Sequence, residues 1–367
     1  MKLAETKDCC GCSACAQKCP KGCISMKPSE KDGFLYPVVN SAECIDCGLC
    51  TKSCPVFIES ESTKAQRAYA FQTNDEKILK ESSSGGLFTS LACKIINEGG
   101  VVFGARFKPD WQVEISYTDC IEGLARFRGS KYVQASVGNS FREAKAFLDQ
   151  KYPVLFTGTS CQIAGLKSYL GKDYENLLTI DLICHGTPSP LVWSKYLSEH
   201  QEVISSVCFR DKASGWKNYK VRINSDSKPF YQNDYMGAFL GNLDLRLSCS
   251  SCSFKEGRSG SDITIGDFWG IEKISPEKDN DLGLCCVILN TVKAERICSE
   301  LKLIDVCPIE EIPKYNPSYT HPSPHHVNRD YFFSKLKKHS FSKAYADTKS
   351  TSIVRKIERK LYRLKKI

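Results

Sequence analysis

The chain has 367 residues, 41% of them hydrophobic and 21 of them cysteine, with a formal net charge of +9. That length and apolar content support a sizeable core, so the cysteines are not needed as disulfides in place of one. No apolar run reaches the roughly 18 residues of a membrane span. The opening Met1-Lys2-Leu3-Ala4-Glu5-Thr6-Lys7-Asp8 has no apolar secretion signal. A disulfide scaffold and an integral membrane protein are both disfavoured. The expectation is a cytoplasmic protein whose clustered cysteines bind metal or do redox chemistry.

Residues 1–58 make the first unit. A C-x2-C-x2-C-x3-C-P run occurs there twice, as Cys9, Cys12, Cys15, Cys19, Pro20 and as Cys44, Cys47, Cys50, Cys54, Pro55. This spacing resembles the two-cluster bacterial ferredoxins, in which the fourth cysteine of each run serves the other cluster. The expected sets are Cys9, Cys12, Cys15 and Cys54 for one 4Fe-4S cluster, and Cys44, Cys47, Cys50 and Cys19 for the other. A zinc site is the alternative, against which the double copy and both prolines argue. Cys10 and Cys23 are extra cysteines inside the same stretch.

Residues 59–66 are polar and read as a linker. The second unit, residues 67–330, alternates short apolar runs with helical periodicity. Strands are predicted at Ala68–Gln72, Val101–Phe107, Pro153–Thr157 and Leu177–Ile183. Helices are predicted at 87–96, ended by Gly99-Gly100, and around 163–170 and 191–200. Strand–helix–strand order argues for an α/β domain with parallel pairing. Residues 203–232 and 262–270 read as antiparallel strand material.

If Pro153–Thr157 and Leu177–Ile183 pair in parallel, Cys161 and Cys184 both leave the carboxyl edge of the sheet, where ligand sites gather. Cys249 and Cys252 offer a C-x2-C pair from a later loop. On spacing alone, a third cluster and a mixture of structural cysteines with a zinc-like pair stay equally open. The turn Ser82-Ser83-Ser84-Gly85-Gly86 opens a helix and suits an anion; an ordinary serine cap suits it as well. No G-x-G-x-x-G follows a strand.

These motifs occur in a definite order: Ser82-Ser83-Ser84-Gly85-Gly86-Leu87-Phe88-Thr89, Gly129-Ser130-Lys131-Tyr132-Val133-Gln134, Gly158-Thr159-Ser160-Cys161-Gln162, Asp181-Leu182-Ile183-Cys184-His185-Gly186, Cys249-Ser250-Ser251-Cys252, and Asp262-Ile263-Thr264-Ile265-Gly266-Asp267-Phe268-Trp269-Gly270. Together they resemble the family of coenzyme F-420 hydrogenase/dehydrogenase beta subunits over roughly residues 66–310. One departure is Ser160, where the family has proline. The resemblance implies an α/β, mixed-sheet domain holding FAD and a 4Fe-4S cluster on Cys161, Cys184, Cys249 and Cys252.

It further implies FAD contacts at Ser83, Ser84, Gly85, Gly86 and Thr89, and at Ser130, Lys131, Tyr132, Gly158 and Thr159. Lys131 is the candidate to stabilise a reduced flavin, or else a solvated lysine. His185 is the candidate proton donor, or else a structural neighbour of Cys184. Asp267 reads as a turn residue. Cys93, Cys120, Cys208, Cys285, Cys286, Cys298 and Cys307, with Cys10 and Cys23, read as packing residues.

The third unit is residues 331–367. Residues 330–367 hold 12 Lys+Arg and 3 Asp+Glu, which leaves 39 of each sign in the other 329. The whole net charge therefore belongs to this end. Ile353, Ile357, Leu361 and Leu364 form a helical stripe flanked by Arg355, Lys356, Arg359, Lys360, Arg363, Lys365 and Lys366. Three readings are open for this helix: an anionic membrane surface, another partner, or packing on the body with its charged face solvated. The neutral body argues against nucleic acid. The reading as a whole is an iron–sulfur flavoprotein oxidoreductase. It passes electrons among clusters and FAD, to or from F-420 or another two-electron acceptor, with a redox partner such as a ferredoxin or a dehydrogenase. A flavin-free adaptor and a zinc-stabilised interaction protein are the alternatives.

Overall fold

The apolar runs of the body assemble into one eight-stranded mixed sheet. The computed structural model describes residues 2–364. The strands in chain order are β1 (Ile24–Pro28), β2 (Leu35–Val39), β3 (Arg67–Phe71), β4 (Val101–Phe107), β5 (Val113–Thr118), β6 (Val154–Thr159), β7 (Leu177–Leu182), β8 (Val207–Asp211), β9 (Lys220–Ile223), β10 (Asp226–Pro229), β11 (Ile263–Asp267), β12 (Cys285–Leu289) and β13 (Ile304–Pro308). The large sheet runs β13-β3-β12-β11-β7-β6-β4-β5. β4, β6, β7 and β11 are parallel, and antiparallel strands flank them on both sides. The expectation for 262–270 is thereby corrected: β11 pairs antiparallel with β12 but parallel with β7. A central strand is covered on both faces, so its sequence loses the alternation that marks a one-sided antiparallel strand.

Burial alternates as the pleat requires. Val101, Phe103, Val154 and Phe156 join one core with Phe141, Ile163 and Leu166 from the helices Ser140–Asp149 and Ser160–Leu170. Val102, Leu155, Leu178 and Ile180 join the other, under Leu87 and Leu91 of the helix Leu87–Asn97. Cys285 and Cys286 likewise face different cores. Strands β8–β10 make a separate antiparallel sheet.

The N-terminal unit is a β1–β2 hairpin with two short helices, Ala14–Lys18 and Leu49–Lys52. It is seated on the body. Gln17 accepts hydrogen bonds from the backbone N–H of Phe141 (3.0 Å) and Arg142 (3.2 Å). Asp32 pairs with Arg329 at 2.9 Å, both side chains almost fully buried. The polar connection lies along the body, where Thr63 N donates to Glu256 O at 2.8 Å.

The C-terminal segment divides. The helices Arg329–Leu336 and Phe341–Lys349 bury Phe332, Phe333, Leu336, Phe341 and Tyr345 in the main core, while Ile353–Leu364 lies outside it. Lys365 and Lys366 fall outside the described residues. No helix among the described residues is long and apolar enough to cross a membrane.

Candidate functional site

The two motif copies wrap their cysteines with the same backbone. In the first, Gly11 (φ +73°) and Ser13 (φ +63°) flank Cys12; in the second, Asp46 (φ +50°) and Gly48 (φ +72°) flank Cys47. These left-handed residues turn the chain around a centre, and each is followed by a short helix. The glycine has changed place between copies, while the path has not. Each loop then closes on the fourth cysteine of the other. Cys9, Cys12, Cys15 and Cys54 line one pocket. Cys19, Cys44, Cys47 and Cys50 line a second. Four thiols around one centre are the ligand set of a cubane cluster. Among the described residues, no group of three or more His, Cys, Asp or Glu side chains is arranged to hold a single metal ion.

The pockets differ in position. The second, here the outer pocket, faces outward, with Cys47 and Ile45 exposed. The first, the inner pocket, faces the body. A Cβ placed on Gly165 of the helix Ser160–Leu170 would lie 2.6 Å from Cys12 Cβ, so only glycine admits this approach. Cys10, read from sequence as packing, is buried in the seam, where its thiol interacts with those of both Cys12 and Cys161. Arg246 fills the other side. Its Nε donates to Cys9 O at 2.6 Å, its Nη1 to Gln134 Oε1 at 2.9 Å, and its Nη2 to Leu35 O at 3.0 Å and towards Cys9 Sγ at 3.6 Å.

The third set converges across the seam. Parallel β6 and β7 bring Cys161 and Cys184 out at the same sheet edge. The 3-10 turn Leu247–Ser251 brings Cys249 and, just after it, Cys252. Each of these four thiols interacts electrostatically with the other three. Burial pushes Cys184 well above the usual thiol range and Cys249 up to about 11. Cys249 Sγ accepts from Thr187 N at 3.4 Å, and Lys255 donates to Cys184 O. His185 stands edge-on to Phe239 at 5.1 Å, with its pKa lowered by burial.

The serine turn lies at the same sheet edge. Ser83 Oγ bonds Ser130 Oγ at 2.8 Å and accepts from Ser130 N at 2.7 Å. Ser84 Oγ and Gly85 N both reach Cys285 Sγ, at 3.0 and 3.2 Å. Gly86 (φ +86°) starts the helix Leu87–Asn97, and Thr89 is buried against Arg128 (3.2 Å). A group of cations gathers here. Arg210 pairs with Asp267 at 2.7 Å and stacks over Tyr219 at 4.0 Å, and its Nε is buried without a partner. Lys212 donates to Leu79 O (2.6 Å) and Ser84 O (3.3 Å), and burial lowers it to about 8. Lys131 donates to Arg126 O (3.0 Å) and Arg128 O (2.8 Å), and burial lowers it to about 7. Asp267 is thus an ion-pair partner in addition to ending a strand. This chemistry fits an anionic dinucleotide. Gly158 and Thr159 end β6 at this same sheet edge, capping the helix Ser160–Leu170 with Gln162 and placing Thr159 Oγ1 3.3 Å from Cys161 Sγ.

One loop touches every part. Ser130 meets the serine turn, and Tyr132 O–H meets Arg210 at 3.5 Å. Gln134 meets Arg246 and Cys10 O, and Ala135 O accepts from Gln162 at 3.3 Å. The sequence reading missed Arg210, Lys212 and Arg246, whose partners are remote in the chain. A buried position for Arg210 in β8, beside Phe209, is the one local signal.

Residues 8–58 match the 4Fe-4S dicluster domain, and residues 152–314 match the C terminus of the coenzyme F420 hydrogenase/dehydrogenase beta subunit. The F subunit of the F(420)H(2) dehydrogenase of Methanosarcina mazei is 26% identical over 198 residues, which are 50% of this chain and 56% of that protein. The chain therefore spans about half the length of that curated relative. A chain of the F420-reducing [NiFe] hydrogenase complex from Methanosarcina barkeri superposes with a TM-score of 0.50 at 15% identity, over 77% of this chain and 96% of that one. This last likeness is one of fold.

Proposed function

We propose that this chain, which carries a 4Fe-4S dicluster domain and the C-terminal domain of an F420 hydrogenase/dehydrogenase beta subunit, is an iron–sulfur flavoprotein oxidoreductase. Electrons pass between the two ferredoxin-type clusters, a third cluster on Cys161, Cys184, Cys249 and Cys252, and FAD. The observation that carries this reading is continuity. Cys15 of the inner set feels the charge of Cys50 of the outer set, Cys10 interacts with both Cys12 and Cys161, and the loop 129–135 runs from that seam to the serine turn. FAD would supply the conversion between one-electron clusters and a two-electron acceptor. Ser83, Ser84, Gly85, Ser130, Lys131, Tyr132, Arg210 and Lys212 are its proposed holders. Lys131 would offset charge on a reduced flavin, and His185, kept neutral by burial, would offer its ring N–H near the third cysteine set. The names of the relatives support F420 or another small organic molecule as the acceptor, and further enzyme subunits as partners.

Anaerobic purification with iron, sulfide and flavin assays tests the reading. Three cubane clusters require about twelve iron atoms and one FAD per chain. About eight iron atoms would remove the third cluster. One observation favours a second reading. The hydroxyls of Ser83 and Ser84 already bond Ser130 and Cys285. A flavin-free electron adaptor would leave them so, and reconstitution without FAD uptake would select it.

The C-terminal helix supports work at an anionic membrane surface. Its polar side holds it to the body. Arg359 donates to Asp347 O (3.0 Å) and Ser350 O (2.8 Å), and Arg355 pairs with Asp347 (3.0 Å) and Glu358 (2.6 Å). Ile353, Val354, Ile357, Leu361 and Leu364 are left exposed, beside exposed Lys356, Lys360 and Arg363. A helix packed for stability alone would turn that stripe inward. An outward apolar face with flanking cations is the form that binds acidic lipid. The full chain should sediment with phosphatidylglycerol vesicles and not with phosphatidylcholine ones. Ile357→Asp with Leu361→Asp should abolish this, and equal binding by the double variant would refute it.

A further inference from the structure

Arg246 is a buried cation without a carboxylate. It is 2% exposed, and among the described residues no Asp or Glu oxygen lies within 4 Å of its guanidinium. Two other buried arginines of the body do not share this state: Arg210 faces Asp267 at 2.7 Å and Arg329 faces Asp32 at 2.9 Å. The acceptors around Arg246 are the carbonyls of Cys9 and Leu35 and the amide oxygen of Gln134, all neutral. The rings of Tyr36 (4.3 Å) and Phe34 (5.3 Å) complete the shell. A buried charge with no opposite charge costs several kcal/mol, so a fold that keeps one supplies its anion elsewhere. A thiol that can take a negative charge lies at contact distance, Cys9 Sγ at 3.6 Å from Nη2, and Cys161 across the seam also feels the arginine's charge. The site is also built around the cation. A Cβ on Gly11 would lie 2.7 Å from Nη1, so the glycine makes room for it.

A cluster bound by four thiolates is a net anion, and reduction adds one more negative charge. A fixed cation against one of its ligands favours the reduced state, since charge and hydrogen bonds at the sulfurs set cluster potentials. Among the described residues, the lining of the outer pocket holds no buried arginine. Its charged lining is Lys21, exposed to solvent, and the acidic Asp46.

We infer that Arg246 is the resident counter-charge of the inner cluster, holding its reduction potential above that of the outer cluster and so drawing electrons towards the body. This rests on the proposed reading that clusters occupy both pockets. Arg246 acts through Cys9 and is a positioning residue, so the test reads potential and not turnover.

The reconstituted full chain is titrated anaerobically, following each cluster by electron paramagnetic resonance. Cys47→Ser, which removes an outer ligand, assigns the signals. The inner cluster should be reduced first. Arg246→Gln should lower the ratio of reduced inner to reduced outer cluster at least tenfold, or about 59 mV for one electron. Arg246→Lys, which keeps the charge, should retain more of the gap than Arg246→Gln. An outer cluster that reduces first in the unaltered protein overturns the inference, whatever the variants do. So does an Arg246→Gln protein with its iron intact and both potentials unmoved. Absence of cluster signals from the unaltered protein would instead refute the reading beneath it.

Discussion

Cys12 and Cys47 hold the same place in their motifs and face opposite worlds. Cys12 is buried against Gly165, whereas Cys47 is exposed to solvent. The loops that carry them follow the same left-handed path. Duplication therefore supplied two equal holders, and the body made them unequal. It pressed one against the helix Ser160–Leu170 and placed a buried arginine beside it. A cluster's role in a relay is set by what surrounds it more than by the motif that binds it.

The sharpest way to break this comparison is to remove each holder in turn. Cys12→Ser and Cys47→Ser should each lose about four iron atoms. Their rates should separate. Stopped-flow reduction of the proposed third cluster by a ferredoxin-type donor should fall about 100-fold or more for Cys12→Ser and about tenfold or less for Cys47→Ser. Equal losses would show that inner and outer are not steps of one path.

A second test uses an acid that lies on the inner side only. Asp244, two residues from Arg246, is fully buried, and burial pushes it up to about 7 despite Arg329; Tyr235 and Tyr345 also feel its charge. The folded protein keeps this proton to about pH 7, while the unfolded chain loses it near 3.9. Stability from this group is therefore full below about pH 4, falls as pH rises to about 7, and is flat above. Asp244→Asn should flatten that slope and stabilise the protein more at pH 8 than at pH 5, by a difference of at most about 3 kcal/mol. Urea unfolding at the two pH values measures it. An equal gain at both would show that the carboxyl is already ionised.

The smallest expected contrast is steric. Gly165→Ala drives a Cβ to 2.6 Å from Cys12 Cβ and should cost about 2 kcal/mol. Gly48→Ala, beside the outer pocket, meets nothing within 4 Å and should cost only the strain of its positive φ, about 1 kcal/mol. Reversal of that order in urea melts would deny the tight inner seam.

The cysteine runs were legible in sequence because cluster loops are local: spacing, turn residues and proline all lie within a dozen positions. β6 and β7 were legible because buried parallel strands are short apolar runs, and their ends placed Cys161 and Cys184 together. What escaped was non-local. Arg246 meets Cys9 across 237 positions, and Lys212 meets Leu79 across 133. No periodicity carries such a pairing. Residues 331–349 read as part of a basic tail because lysines interleave with Tyr331, Phe332, Phe333, Phe341 and Tyr345. Those aromatic residues are buried.

The Asp32–Arg329 pair has a consequence in time. Its partners are 297 positions apart, and a ribosome adding 5–20 residues per second needs about 15 to 60 s to cover that distance. Through that interval the Asp32 carboxylate lacks Arg329, and the hairpin rests on contacts made earlier, such as Ser189 Oγ to Asp32 O at 2.5 Å. Once Arg329 emerges, the carboxylate gains its guanidinium, and the hairpin is fastened to a helix made long after it.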